Sequence, residues 1–179
     1  MELQHTDRIE APVEQVYMLV RDKLPEIAAY LPSIRKIECV SMREIDGTHR
    51  EIENRWFANI EVPSLVQKFL PAEMFSWRDI AKWDDTQRRV TYELASFFAN
   101  DLFSASGSNL FEADGKYATR LTVTCHVEIH GDKVPGVPWL LAAKVTPMIE
   151  KLIEKMIAPN LTSLGEGLRG YLKGHAISS

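Results

Sequence analysis

Two amides in this sequence call for a chemical explanation first. Asn54 and Asn109 alternate with apolar residues, in Ile52-Glu53-Asn54-Arg55-Trp56 and Gly107-Ser108-Asn109-Leu110-Phe111, so each points to the same side as large hydrophobic neighbours. An amide buried there without a partner costs about 1–3 kcal/mol. Either each is satisfied by another side chain, a bulged backbone or water, or the pair are polar handles that orient a ligand's headgroup or carbonyl. Tyr92, expected opposite Asn109, adds a hydroxyl to the same patch. The remaining reactive side chains form no catalytic pattern. His5, His49, His126, His130 and His175 are scattered, without metal-ligand spacing, so neither a metal nor a cofactor is expected. There is no Gly-x-Ser-x-Gly elbow, and Ser104, Ser106 and Ser108 read as the polar face of a strand. Cys39 and Cys125 are too few for a disulfide framework, have no neighbouring His or Lys, and read as reduced thiols in the core. Asp79, Asp84 and Asp85 read as a solvated turn at a strand end, although Asp79 shares its phase with Trp77. No glycine-rich phosphate loop is present. The inventory favours binding over catalysis.

Composition bounds the alternatives. A chain of 179 residues, 45% apolar and 26% charged, is ordinary globular material and long enough for one domain, 1–179, with a full core. With 21 basic against 25 acidic side chains, the net charge of −4 argues against nucleic-acid binding, which needs clustered Lys and Arg. No apolar run approaches the roughly 20 residues of a membrane span. The stretch Met1–Glu10 is charged and lacks a signal core, so a cytoplasmic chain is expected.

The elements that must position these residues follow from periodicity. Residues 2–10 alternate as a strand. Pro12 then opens a helix carrying Val13, Val16, Tyr17 and Val20 on one stripe, and Pro25 ends it and opens a second short helix, 26–31. The period then shortens to two, which predicts strands near 36–44, 48–60, 73–82, 87–98, 103–112 and 117–129. Asp46-Gly47 and Asp114-Gly115 are strong turn signals between them, and together they predict an antiparallel meander. A two-residue turn at Asp46-Gly47 sets Ile52, Asn54 and Trp56 opposite Ser41, Cys39 and Ile37. A four-residue loop, 99–102, pairs Phe98 with Phe103, Leu94 with Gly107 and Tyr92 with Asn109. A three-residue loop with Gly115 left-handed sets Leu121 opposite Gly107 and Val123 opposite Ala105. One face is then apolar, with Ile52, Trp56, Val90, Tyr92, Leu94, Phe111, Leu121, Val123, Cys125 and Val127, and the other is charged.

Residues 138–173 supply the cover. Leu141, Val145, Met148, Leu152 and Met156 recur at helical spacing, and Leu161, Leu164, Leu168 and Tyr171 continue the stripe, with bends expected at Pro147 and Pro159. Between Ile60 and Ala72, Ser64-Leu65-Val66-Gln67 has the form of a capping box. The short helix it opens, with Leu65, Val66 and Phe69, is either a satellite of the core or a lid over a cavity mouth. The segment Val134 to Leu141 is stiff and apolar; Trp139 and Leu140 are expected to anchor it, and the alternative is transient docking on a membrane surface.

Strand, two short helices, six-stranded meander and long terminal helix: this order resembles the START-like superfamily, with its Bet v 1-type proteins, polyketide cyclases and lipid-transfer domains. The residues carrying the likeness are Ile9-Glu10-Ala11-Pro12-Val13-Glu14-Gln15-Val16-Tyr17, the Asp114-Gly115 turn before Thr119-Arg120-Leu121-Thr122, and the terminal amphipathic helix. The resemblance implies an α+β helix-grip fold, a curved antiparallel sheet of about seven strands wrapped around a long C-terminal helix. It also implies a hydrophobic cavity between them. The candidates to line it are Asn54, Trp56, Phe75, Trp77, Tyr92, Asn109, Phe111, Leu121 and Val123 from the sheet, with Met148 and Leu152 from the helix. For the aromatic residues among them, core packing is the competing reading. The implied function is binding or transport of a hydrophobic or amphipathic small molecule. The alternatives are a polyketide cyclase or aromatase-type enzyme, and a protein-interaction module with a filled core.

Overall fold

The computed structural model describes residues 1–67, 69, 75–96, 102–134 and 136–176, without the side chains of 66, 67, 156, 157, 160–162 and 176. Alternating sequence becomes seven strands: β1 (Glu2–Ile9), β2 (Ile34–Glu44), β3 (His49–Ala58), β4 (Ser76–Asp84), β5 (Arg89–Ser96), β6 (Phe103–Ala113) and β7 (Thr119–Ile129). They form one antiparallel sheet in the order β1-β7-β6-β5-β4-β3-β2. The meander keeps neighbours in sequence adjacent in space, and the first strand closes onto the last.

Helix α1 (Val13–Ile27) starts at Pro12 and breaks its helical geometry at Lys23, two residues before Pro25. A 3₁₀ turn, Ala28–Tyr30, completes the second short helical piece expected from the prolines. Helix α2 (Ser64–Gln67) is the short helix of the 60–72 connection. Helix α3 (Trp139–Ala176) runs through both Pro147 and Pro159 and lies against β1, β7 and the 3₁₀ turn. Its approach to β1 needs Gly165, where a Cβ would sit 2.2 Å from the Asp7 carboxyl. One turn on, Arg169 donates to Asp7 at 3.0 Å and ties the helix to the strand. This is the helix-grip α+β architecture, a curved sheet with its apolar face toward α1 and α3.

The faces are as the alternation predicts, but the registers slip along them. Ile37 and Cys39 do pair with Trp56 and Asn54, but a bulge at Val40 then moves Ile52 from Ser41 to Met42. Tyr92 pairs with Gly107 rather than Asn109, and Leu94 with Ala105 rather than Gly107. Across β6 and β7, Leu121 pairs with Phe111 and Val123 with Asn109. Gly115 is left-handed as expected (φ +87°), but the loop it sits in is longer than three residues, running from Asp114 to Ala118. Each β5–β6 and β6–β7 slip is by an even number of residues, which preserves the face of every side chain. The expected Phe98–Phe103 pair involves a residue outside those described.

Gly107 lies where a Cβ would come within 2.6 Å of the Tyr92 hydroxyl and 2.1 Å of the Thr124 carbonyl oxygen, so only glycine can sit beneath the Tyr92 ring. Two further expectations are corrected. Cys39 is exposed, because β2 beyond Ile37 runs past the covering helices. Trp139 and Leu140 do not anchor their segment: they are 83% and 71% exposed, and Val134 is buried in their place.

Candidate functional site

Beneath α1 and α3 the sheet does not close completely, and a cavity of about 70 Å³ remains. At roughly 15 Å³ of such volume per water, it has room for about five waters or a small headgroup. Its floor is inward residues of five strands: Asn54 and Trp56 on β3, Trp77, Asp79, Ala81 and Trp83 on β4, Val90, Tyr92 and Leu94 on β5, Asn109 on β6 and Val123 on β7. Val20 and Leu24 of α1 and Leu164 of α3 roof it. All of these are buried except Trp56, which is half-buried and marks where the cavity nears the surface.

Alternation places the polar groups. Asn54 and Asp79 are direct partners across β3 and β4, and Trp56 and Trp77 are the next inward pair. The two indoles stack with centroids 5.7 Å apart. From there the Trp56 indole nitrogen donates to Asp79 Oδ2 at 3.0 Å. The other carboxylate oxygen, Asp79 Oδ1, is buried with no hydrogen-bond partner. Burial pushes the Asp79 carboxyl up to about 6, against a smaller opposing pull from Trp56 and Asn54. Two more cavity groups share its situation: Asn109 Oδ1 and Trp83 Nε1 are buried and unpartnered. Three unpaired polar atoms on one small cavity are unusual, because buried polar groups in folded proteins are nearly all hydrogen-bonded.

Tyr92 behaves differently. Its hydroxyl donates to the Thr124 carbonyl at 3.0 Å, reaching over Gly107 to do so. Burial first, and contact with the Cys125 thiol second, push its phenol well above the ordinary tyrosine range. It is a neutral wall whose one donor is already engaged.

The structure thus gathers Asn54, Trp56, Trp77, Tyr92, Asn109 and Val123 of the sequence-predicted residues around one space. Phe111 lies beside it rather than on it, wedged between the rings of Tyr17 at 5.4 Å and Trp83 at 6.5 Å. Leu121 and Leu152 are buried in the core, while Phe75 and Met148 are half-buried against it, and none of the four lines the cavity. In the α2 region, Leu65 and Phe69 are half-buried, and α2 itself lies against α3; the Val66 side chain is not among those described.

Asp79 was missed as a site residue. Assigning β4 to 73–82 put the aspartate near a strand end, whereas β4 spans Ser76–Asp84 and Asp79 lies in its middle, 6% exposed. Its shared phase with Trp77 was the signal that could have found it. Trp83 escaped for the same reason, lying beyond the expected end of the strand. Among the described residues, no cluster of His, Cys, Asp and Glu could hold a metal ion, and no helix is long and apolar enough to cross a membrane.

No family model and no curated protein matches the sequence. Solved structures match in fold over almost the whole chain. A Thermus thermophilus protein aligns at 23% identity with a TM-score of 0.64, covering 100% of both chains. The Streptomyces aromatase/cyclase Zhui aligns at 16% identity and TM-score 0.65, over 98% of this chain and 95% of that one. A START superfamily protein from Mycobacterium smegmatis aligns at 17% identity and TM-score 0.54, over 97% and 98%. At such identities the likeness is one of fold: this chain has the START and Bet v 1 architecture that its order of elements resembles.

Proposed function

We propose that the protein binds a small amphipathic molecule in the space between sheet and helices. The observation that carries this reading is the cavity's unmatched chemistry: apolar and aromatic walls, with Asp79 Oδ1, Asn109 Oδ1 and Trp83 Nε1 buried and unpaired. Each unpaired atom costs about 1–3 kcal/mol, a cost that a ligand with complementary groups removes on binding. Apolar contact against Trp56, Trp77 and Leu94 adds roughly 25 cal/mol per Å² before ordering costs. At about 70 Å³ the cavity takes the polar head, and a longer apolar body extends past half-buried Trp56.

A second reading, catalysis of the aromatase/cyclase kind named for the Streptomyces protein, is favoured by one observation. Asp79 is held at about 6, close to where a general acid or base is most effective.

Native mass spectrometry of the purified protein, with mass analysis of its organic extract, tests the binding reading. Retained small molecules are expected. Ala81→Val, which narrows the cavity from β4 with a strand-compatible side chain, should reduce their occupancy several-fold with the fold intact. Retention unaffected by Ala81→Val would move the ligand elsewhere, and no retained molecule at all would count against the proposal. Under the catalytic reading Asp79→Asn abolishes turnover of a ligand that still binds.

A further inference from the structure

We propose that the ligand class is a small organic primary amine, bound as its ammonium, with an N–H group donated to Asp79 Oδ1. This rests on the cavity reading above and deepens it.

The unpaired groups set the polarity of the partner. Two of the three are acceptors, so the ligand must mainly donate. The Asp79 carboxylate has a deeper deficit than a missing hydrogen bond. Among the described residues its surroundings consist of burial, the Trp56 indole and the Asn54 amide, with no cation acting on it. The arginines adjacent to it in the sheet point to the other face: Arg78 pairs with Glu53 at 2.7 Å, and Arg55 donates to Ser76 at 3.2 Å. A carboxylate enclosed without a counter-ion is among the costliest arrangements in a protein interior, and a cation brought in by the ligand offsets it.

The walls suit the same partner. Trp56, Trp77 and Trp83 line the cavity together with Tyr92. Indole faces attract a desolvated ammonium most strongly where water is excluded. A carboxylate or phosphate head would instead meet Asp79 with like charge, and a neutral alcohol would leave the carboxylate without a counter-ion. The room available matches an ammonium and its first carbons, with an apolar remainder along Trp56.

The test compares benzylamine with benzyl alcohol, which share a ring and differ in the head. Titrations are followed by calorimetry and by the indole N–H signals of the four tryptophans. At about pH 7.5 the amine is expected to bind about ten-fold or more tighter than the alcohol, as a new charge pair in a dry site should give. In Asp79→Asn that ratio should fall to about one. Wild-type protein at about pH 5 gives an independent arm: Asp79 is then protonated, and the preference should shrink there as well. Among the described residues, the only other ionisable group lining the cavity is Tyr92, whose phenol stays neutral throughout. Should Asp79→Asn fail to fold, the pH arm decides. Equal binding of both probes, or a preference that survives Asp79→Asn and acid, overturns the amine assignment and leaves the cavity reading standing. Failure of both probes, in a protein that also retains no small molecule, removes both.

Discussion

Asp79 and Asp85 lie on one strand and the turn that follows it, yet they have opposite fates. Asp85 accepts from the Tyr17 hydroxyl at 2.8 Å and from Arg21 at 2.9 Å, with Arg50 at 3.4 Å. Burial pulls its carboxyl up, but the Tyr17 and Arg21 hydrogen bonds and the two guanidiniums prevail and hold it below the usual range. Asp79 has the burial without any cation among the described residues. The end of the molecule around Asp85 is also filled, with Tyr17, Trp83 and Phe111 packed edge and face at 5.4 to 6.5 Å. Around Asp79 a void remains. The contrast separates two uses of a carboxylate: one completes a packed network from within the chain, and the other is left open to a partner from outside it.

The largest expected effect tests the packed end. Phe111→Ala removes a fully buried ring from between Tyr17 and Trp83. It should cost about 3–5 kcal/mol in urea unfolding. A loss below about 1 kcal/mol would mean that this end is as loosely filled as the cavity.

Next comes the pair of aspartates, whose pH dependences should have opposite signs. A carboxyl near 6 in the fold, against an ordinary value of 3.8, is a destabilising charge at neutral pH, worth roughly 3 kcal/mol. The penalty is absent below about pH 4 and complete above about pH 6. Asp79→Asn should therefore stabilise the ligand-free protein at about pH 7.5, and the gain should fade by about pH 4. Asp85, lowered in the fold, contributes stability above its ordinary range that is lost as pH falls. Asp85→Asn should accordingly destabilise at neutral pH and matter less in acid. Urea midpoints of both variants across this range would show it, and parallel slopes would erase the distinction.

The smallest effect sharpens it. Tyr17→Phe deletes one donor to Asp85 while Arg21 and Arg50 remain, so a loss of about 1 kcal/mol is expected from equilibrium unfolding. A much larger loss would show that the hydroxyl, rather than the guanidiniums, keeps Asp85 charged.

Much of this could be read from the chain. Alternation assigned Ile52, Tyr92, Leu94 and Val123 to the inner face, and Pro12 marked the start of α1, which runs past Pro25 to Ile27 with a break at Lys23. The order of elements brought the fold-family resemblance that the solved structures bear out. Asn54 and Asn109 stood out as inward amides, and both reach the cavity. What sequence missed depended on loop lengths. The β6–β7 slip came from a connection longer than assumed, and Trp83 fell past a strand end placed two residues early.

Side-chain facing was settled by the sequence alone, because a strand's period of two survives any even slip of register and a helix's stripe survives a bend. Which inward groups share one space, and which of them lack a partner, was settled only when α1 and α3 came down on the sheet. Arg21 and Arg50 converge on Asp85 from separate elements, and among the described residues no cation converges on Asp79. Local pattern carries no information about that convergence, since the groups that neutralise a buried charge arrive from distant parts of the chain.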